Sequence, residues 1–123
     1  MEWTITLNKE EPYAEIATSG IATRRESFNM AKEIAVTLGE EKIKNVLIDH
    51  RNISAVSGDA MDVYYRPVEF QKIGMFLGIK VAEMVKPEHR EFFNFLETVC
   101  VNRGYRFRIF DDRQSALDWL LQP

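Results

Sequence analysis

The chain reads as an α/β domain with elements in the order ββαβαβαβα. They build a mixed five-stranded sheet with helices mainly on one face. Three observations predict this. Short apolar runs bounded by polar turns alternate with longer stretches whose apolar residues recur at helical spacing. The run Val46, Leu47, Ile48 is unbroken, as expected of a strand buried on both faces. Strands separated by helices call for parallel pairing through right-handed crossovers.

Trp3, Ile5 and Leu7 alternate with Glu2, Thr4 and Thr6, predicting a first strand with one apolar face. Residues 8–12 form a turn short enough to make the second strand, over 13–19, antiparallel to the first. Thr23 and Glu26 have the spacing of a capping box. Phe28, Ala31, Ile34, Ala35 and Leu38 follow at helical spacing, and Gly39 suits the position that closes a helix. The third strand covers 44–49, and a polar loop leads from it to Ser57, an N-cap candidate for the second helix. Met61, Tyr64, Tyr65 and Val68 would form that helix's inner face. Pro67 should kink it or start a second short helix, and Gly74 ends it.

The fourth strand spans 79–85. Pro87 suits the first turn of the third helix, whose apolar face is Phe92, Phe93, Leu96, Val99 and Cys100. Gly104 caps it. Tyr105, Phe107 and Ile109 alternate with Arg106 and Arg108, so the fifth strand has one wet face. Asp111 or Asp112 caps a last helix through Ala116, Leu117 and Leu120.

Composition narrows the function classes. At 123 residues, 1–123 reads as a single domain able to bury a core without staples. No stretch approaches the roughly 18 apolar residues of a membrane span. The N-terminus lacks the basic and apolar regions of a secretory signal, and the lone Cys100 fits a reducing compartment, so a cytoplasmic protein is expected. The net charge is −3, with basic and acidic residues mixed, which argues against nucleic acid as a partner. His50 and His89 lack metal-ligand spacing, and no cofactor is expected.

The central strand and its exit, NVLIDHRNIS, the third helix leading into NRGYRFRIFDD, and the final SALDWLL resemble the STAS domain. This is the SpoIIAA-like family of bacterial anti-sigma-factor antagonists, and the likeness covers essentially the whole chain. It is closest in kind to a branch of small stand-alone bacterial proteins. The resemblance implies a non-catalytic, regulatory binding module that presents the loop and helix after the central strand to a protein partner. In that family a phosphorylated serine stands at this helix start in an Asp-Ser-(Ser/Thr)-Gly-like setting. Here only Ser57-Gly58 matches; Ala55 and Val56 precede it and Asp59 follows.

Several side chains converge if the topology holds, because sites form at the carboxyl edge of parallel strands. Ser57, Gly58 and Asp59 are the candidate phosphorylation and partner site. Arg24 and Arg25, with Asp49, His50 and Arg51, are candidate anion or partner contacts. Cations in a first helical turn oppose its dipole, which is what makes Arg24 and Arg25 unusual. A plain cap at Ser57 and solvated arginines are the simpler accounts. Asp49, His50 and Ser57 could serve an enzyme only if they met in one pocket, and adjacent strand residues point to opposite faces.

Tyr64, Tyr65, Phe70 and Phe76 are more apolar groups than one helix face and a turn easily bury. They form a candidate patch for a homodimer or for a small apolar ligand or lipid, the latter being the alternative to a protein partner that the resemblance of STAS-like domains to the Sec14-like lipid-binding fold implies. Cys100 reads as a core thiol.

Overall fold

A computed structural model describes residues 1–58, 60–74 and 78–123. The chain starts with a hairpin of β1 (Glu2–Asn8) and β2 (Tyr13–Ala22), paired antiparallel. The Asn8 side-chain oxygen accepts from the Glu10 and Glu11 N–H groups, each at 3.1 Å, and so fixes the turn. The remaining elements are α1 (Arg24–Glu41), β3 (Asn45–Val56), α2 (Ala60–Tyr64), α3 (Arg66–Lys72), β4 (Lys80–Met84), α4 (Arg90–Asn102), β5 (Arg106–Phe110) and α5 (Arg113–Leu120). A 3₁₀ turn, Pro87–His89, precedes α4. The sheet order is β1-β2-β3-β4-β5, with β2 to β5 mutually parallel.

Strand alternation divides the core between two layers. Ile16, Val46, Ile48, Phe107 and Ile109 face the layer built by α1 and α4, whose inward residues include Ile34, Leu38, Phe93 and Leu96. Leu47, Ala82 and Met84 point the other way, onto Ala116 and Leu120 of α5. Each of the larger apolar side chains among these contributes about 1.5–3 kcal/mol when fully buried. Asp112 starts α5 by accepting from the Ser115 N–H at 2.9 Å. Lys80 ties down its far end, donating to the Trp119 carbonyl with its ammonium 4.5 Å from the indole centre. Arg106 and Arg108 remain exposed on the wet face of β5.

Three expectations change. The third strand runs well beyond 49, to Val56, so His50, Arg51, Asn52 and Ser54 are strand residues rather than loop residues. It continues because β2 continues beside it, pairing Ser19 with Asn52 and Ala22 with Val56. At two register shifts β3 carries an extra residue, which interrupts the alternation and hides the strand from a pattern search. The extra residue also turns Ile53, rather than Asn52, into the core, where it is fully buried.

Helix α1 passes through Gly39 to Glu41 and is capped by Lys42, whose φ is 55°. That late ending delivers Ile43 to the core, where it is buried. Finally, the inner face of the second helical segment is not Met61, Tyr64 and Tyr65, which are 57%, 47% and 47% exposed. Among the described residues of this segment, Val63, Arg66 and Pro67 are buried. The chain breaks between α2 and α3 just before Pro67, as expected of a proline, and Val63 sets the rotation of the short α2.

Candidate functional site

The paired extensions of β2 and β3 carry the segment that the sequence singles out. Its backbone is anchored by the Ser57 N–H donating to the Ala22 carbonyl at 2.8 Å. Lys86 reaches across from the β4 exit and donates to the Ile53 carbonyl at 3.0 Å. Ser57 and Gly58 are exposed. Helix α2 begins only at Ala60, so Ser57 belongs to the segment that connects β3 to it. Asp59 lies outside the described residues. Gly58 has a φ of 138°, and a Cβ there would stand 3.2 Å from an Asp62 carboxylate oxygen. Both features favour glycine.

Arg24 is committed to the fold. Its Nε and Nη2 donate to Glu69 Oε1 at 3.0 and 2.5 Å, and its Nη1 donates to Asp62 Oδ1 at 3.1 Å. The Glu69 carboxylate raises the guanidinium pKa above its ordinary value. Arg24 thus clamps the start of α1 to α2 and α3, while Arg25 is exposed. Asp49 and Arg51, two apart on one strand face, pair at 3.0 Å. Burial raises the Asp49 carboxyl, but the Arg51 guanidinium and N–H more than offset this and hold it below its ordinary value. Beside them Arg113 binds Glu15 through both oxygens, the longer contact being 2.8 Å. Arg90 pairs with Asp111.

His50 points to the opposite face and is buried, 5% exposed, against Phe93 in a stacked pair 5.1 Å apart. Asp49 and His50 therefore diverge, and the side chains of an Asp49–His50–Ser57 catalytic group do not meet. The Thr18 hydroxyl donates to the Asp49 carbonyl at 3.1 Å, which uses its one hydrogen. Its oxygen then accepts from His50 Nδ1–H at 2.7 Å. The other ring nitrogen lies 3.6 Å from Glu83 Oε2, itself on a buried side chain.

His50, Glu83 and Arg66 line a cavity of about 60 Å³ between the sheet and the helical layer. The other walls are mostly apolar and include Ile34, Ile48, Phe70, Phe93 and Leu96. Arg66 is only 7% exposed, and burial lowers its pKa although Glu69 and Glu83 oppose the shift. Arg66 Nε and Glu83 Oε1 are buried without a hydrogen-bond partner among the described residues. The sequence reading missed Thr18, Arg66 and Glu83. A signal existed for Glu83: it is a carboxylate among Val81, Ala82, Met84 and Val85, where a charge is expensive unless partnered.

The aromatic group divides. Phe70 packs edge-on against Tyr105, 5.9 Å between centroids, and lines the cavity. Tyr64 and Tyr65 stand outside it in an edge-to-face pair at 5.5 Å, and the Arg103 guanidinium lies 5.6 Å from the Tyr64 ring centre. With Met61 they form an exposed apolar surface beside Ser57 in sequence. Phe76 lies outside the described residues. Burial pushes the Cys100 thiol up to about 12, with the Glu83 charge adding to the effect. Among the described residues, no three His, Cys, Asp or Glu side chains are grouped to hold a metal. No helix among them is long and apolar enough to cross a membrane.

No family profile and no curated protein matches the chain. Solved structures do. One is an uncharacterised DUF3478 family protein with a SpoIIAA-like fold from Shewanella loihica PV-4, 21% identical, with a TM-score of 0.60. That match covers 97% of this chain and 92% of the other. Another is the anti-sigma factor antagonist SpoIIAA in its unphosphorylated form, 13% identical, TM-score 0.57, covering 96% of both chains. At these identities the likeness concerns the fold, and with the strand order and the two-layered core it leads to one conclusion: the chain has the SpoIIAA-like fold.

Proposed function

We propose that this protein is a non-catalytic regulatory module that binds a protein partner through the surface following β3. The observation that carries the reading is the exposure of Met61, Tyr64 and Tyr65 next to exposed Ser57 and Gly58. Tyrosine offers a large contact area at low entropic cost, and aromatic groups dominate interface energetics. A solved neighbour of the same fold is an anti-sigma factor antagonist whose unphosphorylated form is distinguished, which supports a regulatory role for this fold. Ser57 is the position at which a phosphate would alter this surface. It would bring up to about two negative charges to a segment that already holds Asp59 and Asp62. The reading places the module in a bacterial cytoplasm and allows a two-fold pair through the same apolar surface, with Arg25 at its margin.

The test compares wild type with Ser57→Asp and Ser57→Ala as bait in the host's lysate, with identified partners quantified. A partner held by wild type and Ser57→Ala, and released by Ser57→Asp, is the expected result. Equal recovery by all three would refute Ser57 as the switch.

A further inference from the structure

The cavity beneath α1 and α4 raises a question that a partner surface does not answer. Its walls are largely apolar, yet two strongly polar side chains line it with buried atoms that no described residue satisfies. Arg66 offers an N–H donor and Glu83 offers an acceptor oxygen, at 7% and 5% exposure. Leaving such a group unmade costs about 1–3 kcal/mol, and more for a charged one. Ser27, Ser57 and Tyr105 also line the cavity, and the Tyr105 hydroxyl donates to the Pro67 carbonyl at 3.3 Å. Thr18 holds one His50 nitrogen, and the other faces the second Glu83 oxygen at 3.6 Å. Among the described side chains that line the cavity, Arg66 Nε and Glu83 Oε1 are the buried donor and acceptor left unpartnered.

We infer that this cavity is a binding site for a small uncharged molecule with a donor and an acceptor on one carbon, carried on a short apolar body. A primary carboxamide or an undissociated carboxyl has this head. Its carbonyl oxygen would accept from Arg66 Nε–H, and its N–H or O–H would donate to Glu83 Oε1. A dissociated carboxylate satisfies Arg66 but meets the Glu83 oxygen with a second acceptor, so the neutral form is preferred. Size follows from the volume. At roughly 10–15 Å³ for each water-sized position, about 60 Å³ holds some four to six such positions. A ligand of about that many heavy atoms fits, its body against Ile34, Ile48, Phe93 and Leu96. The cavity's lining includes Ser57 but neither Tyr64 nor Tyr65, and the inference does not depend on which partner the tyrosines meet.

The experiment titrates the full chain with three probes of like size, followed by amide NMR shifts of the cavity-lining residues. Butyramide carries the full head. Methyl propyl ketone replaces its NH₂ by a methyl group and keeps the acceptor alone. Butyric acid, compared at acidic and neutral pH, separates the undissociated from the dissociated carboxyl. Butyramide should shift the cavity resonances with a Kd about tenfold below that of the ketone, and butyric acid should bind better when undissociated. Arg66→Met, which keeps the buried stem, should bring butyramide to the ketone's affinity. Equal binding of ketone and amide on the wild-type chain would overturn the inference. So would binding of butyrate at neutral pH without butyramide, or no cavity shift with any probe at about 50 mM, within reach for ligands this small.

Discussion

Replacing Ile53 by alanine tests whether β3 truly extends to the segment that carries Ser57. Ile53 is fully buried in the cluster that includes Val63, Val85, Phe93 and Leu96. The change removes three carbons. At about 0.8 kcal/mol for each buried methylene, the transfer loss is about 2.4 kcal/mol. The cavity left behind adds to this, so a total of about 3–4 kcal/mol is expected, inside the range for such truncations. The same residue in a polar loop would cost less than about 1 kcal/mol. Urea denaturation followed by far-UV circular dichroism reads the difference. With a slope of about 1–3 kcal/mol/M, the midpoint should fall by at least about 1 M at unchanged slope. Val36, 60% exposed on α1, gives the control, and its alanine variant should move the midpoint little. A loss below about 1 kcal/mol for Ile53→Ala would refute the extended strand and the anchoring of the Ser57 segment to it.

Further outcomes follow from single contacts. Thr18→Val strips His50 Nδ1–H of its acceptor in a buried site and should cost about 1–3 kcal/mol by the same denaturation assay. Gly58→Ala forces a side chain into a backbone with a φ of 138° and should destabilise by about 1 kcal/mol or more. Cys100, fully buried with its pKa pushed up to about 12, should resist iodoacetamide at pH 8 until the chain unfolds. The Asp49 carboxyl is held below its ordinary value by Arg51 after burial has acted in the opposite sense. Its contribution is therefore present above pH 3.8 and is lost as pH falls through the lowered value in the folded chain. Arg51→Met should flatten the fall in stability below that pH, read as urea midpoints across an acid series.

The legible parts of this fold were those in which one residue type settles a local question. Thr23 caps α1, with its oxygen accepting from the Glu26 N–H at 3.2 Å, and Asp112 caps α5. Pro67 does split the helical segment after β3, because a proline cannot donate within a helix. The alternation around Phe107 and Ile109 placed β5 and its wet face. The buried polar group was not legible, because its members come from four separate elements. Thr18, His50, Arg66 and Glu83 meet only once β2, β3 and β4 are in register and α3 lies over them. Bulges likewise hid the second half of β3, since a strand that changes phase leaves no period to read. The rotation of α2 depended on Val63 finding the α4 core, a choice that three exposed apolar side chains obscured.

The measurement that bears most directly on the central claim is capture by the exposed surface of α2. Wild type and a Tyr64→Ser/Tyr65→Ser double variant would be used as bait at equal concentration. A variant at Val36, on an unrelated exposed position, serves as control. Both tyrosines are about half exposed, so the double variant should keep wild-type stability. It should lose at least about tenfold in affinity for the partner that wild type and the Val36 variant hold in common. Undiminished binding by a folded double variant would contradict the account, because the partner would then dock elsewhere on the fold.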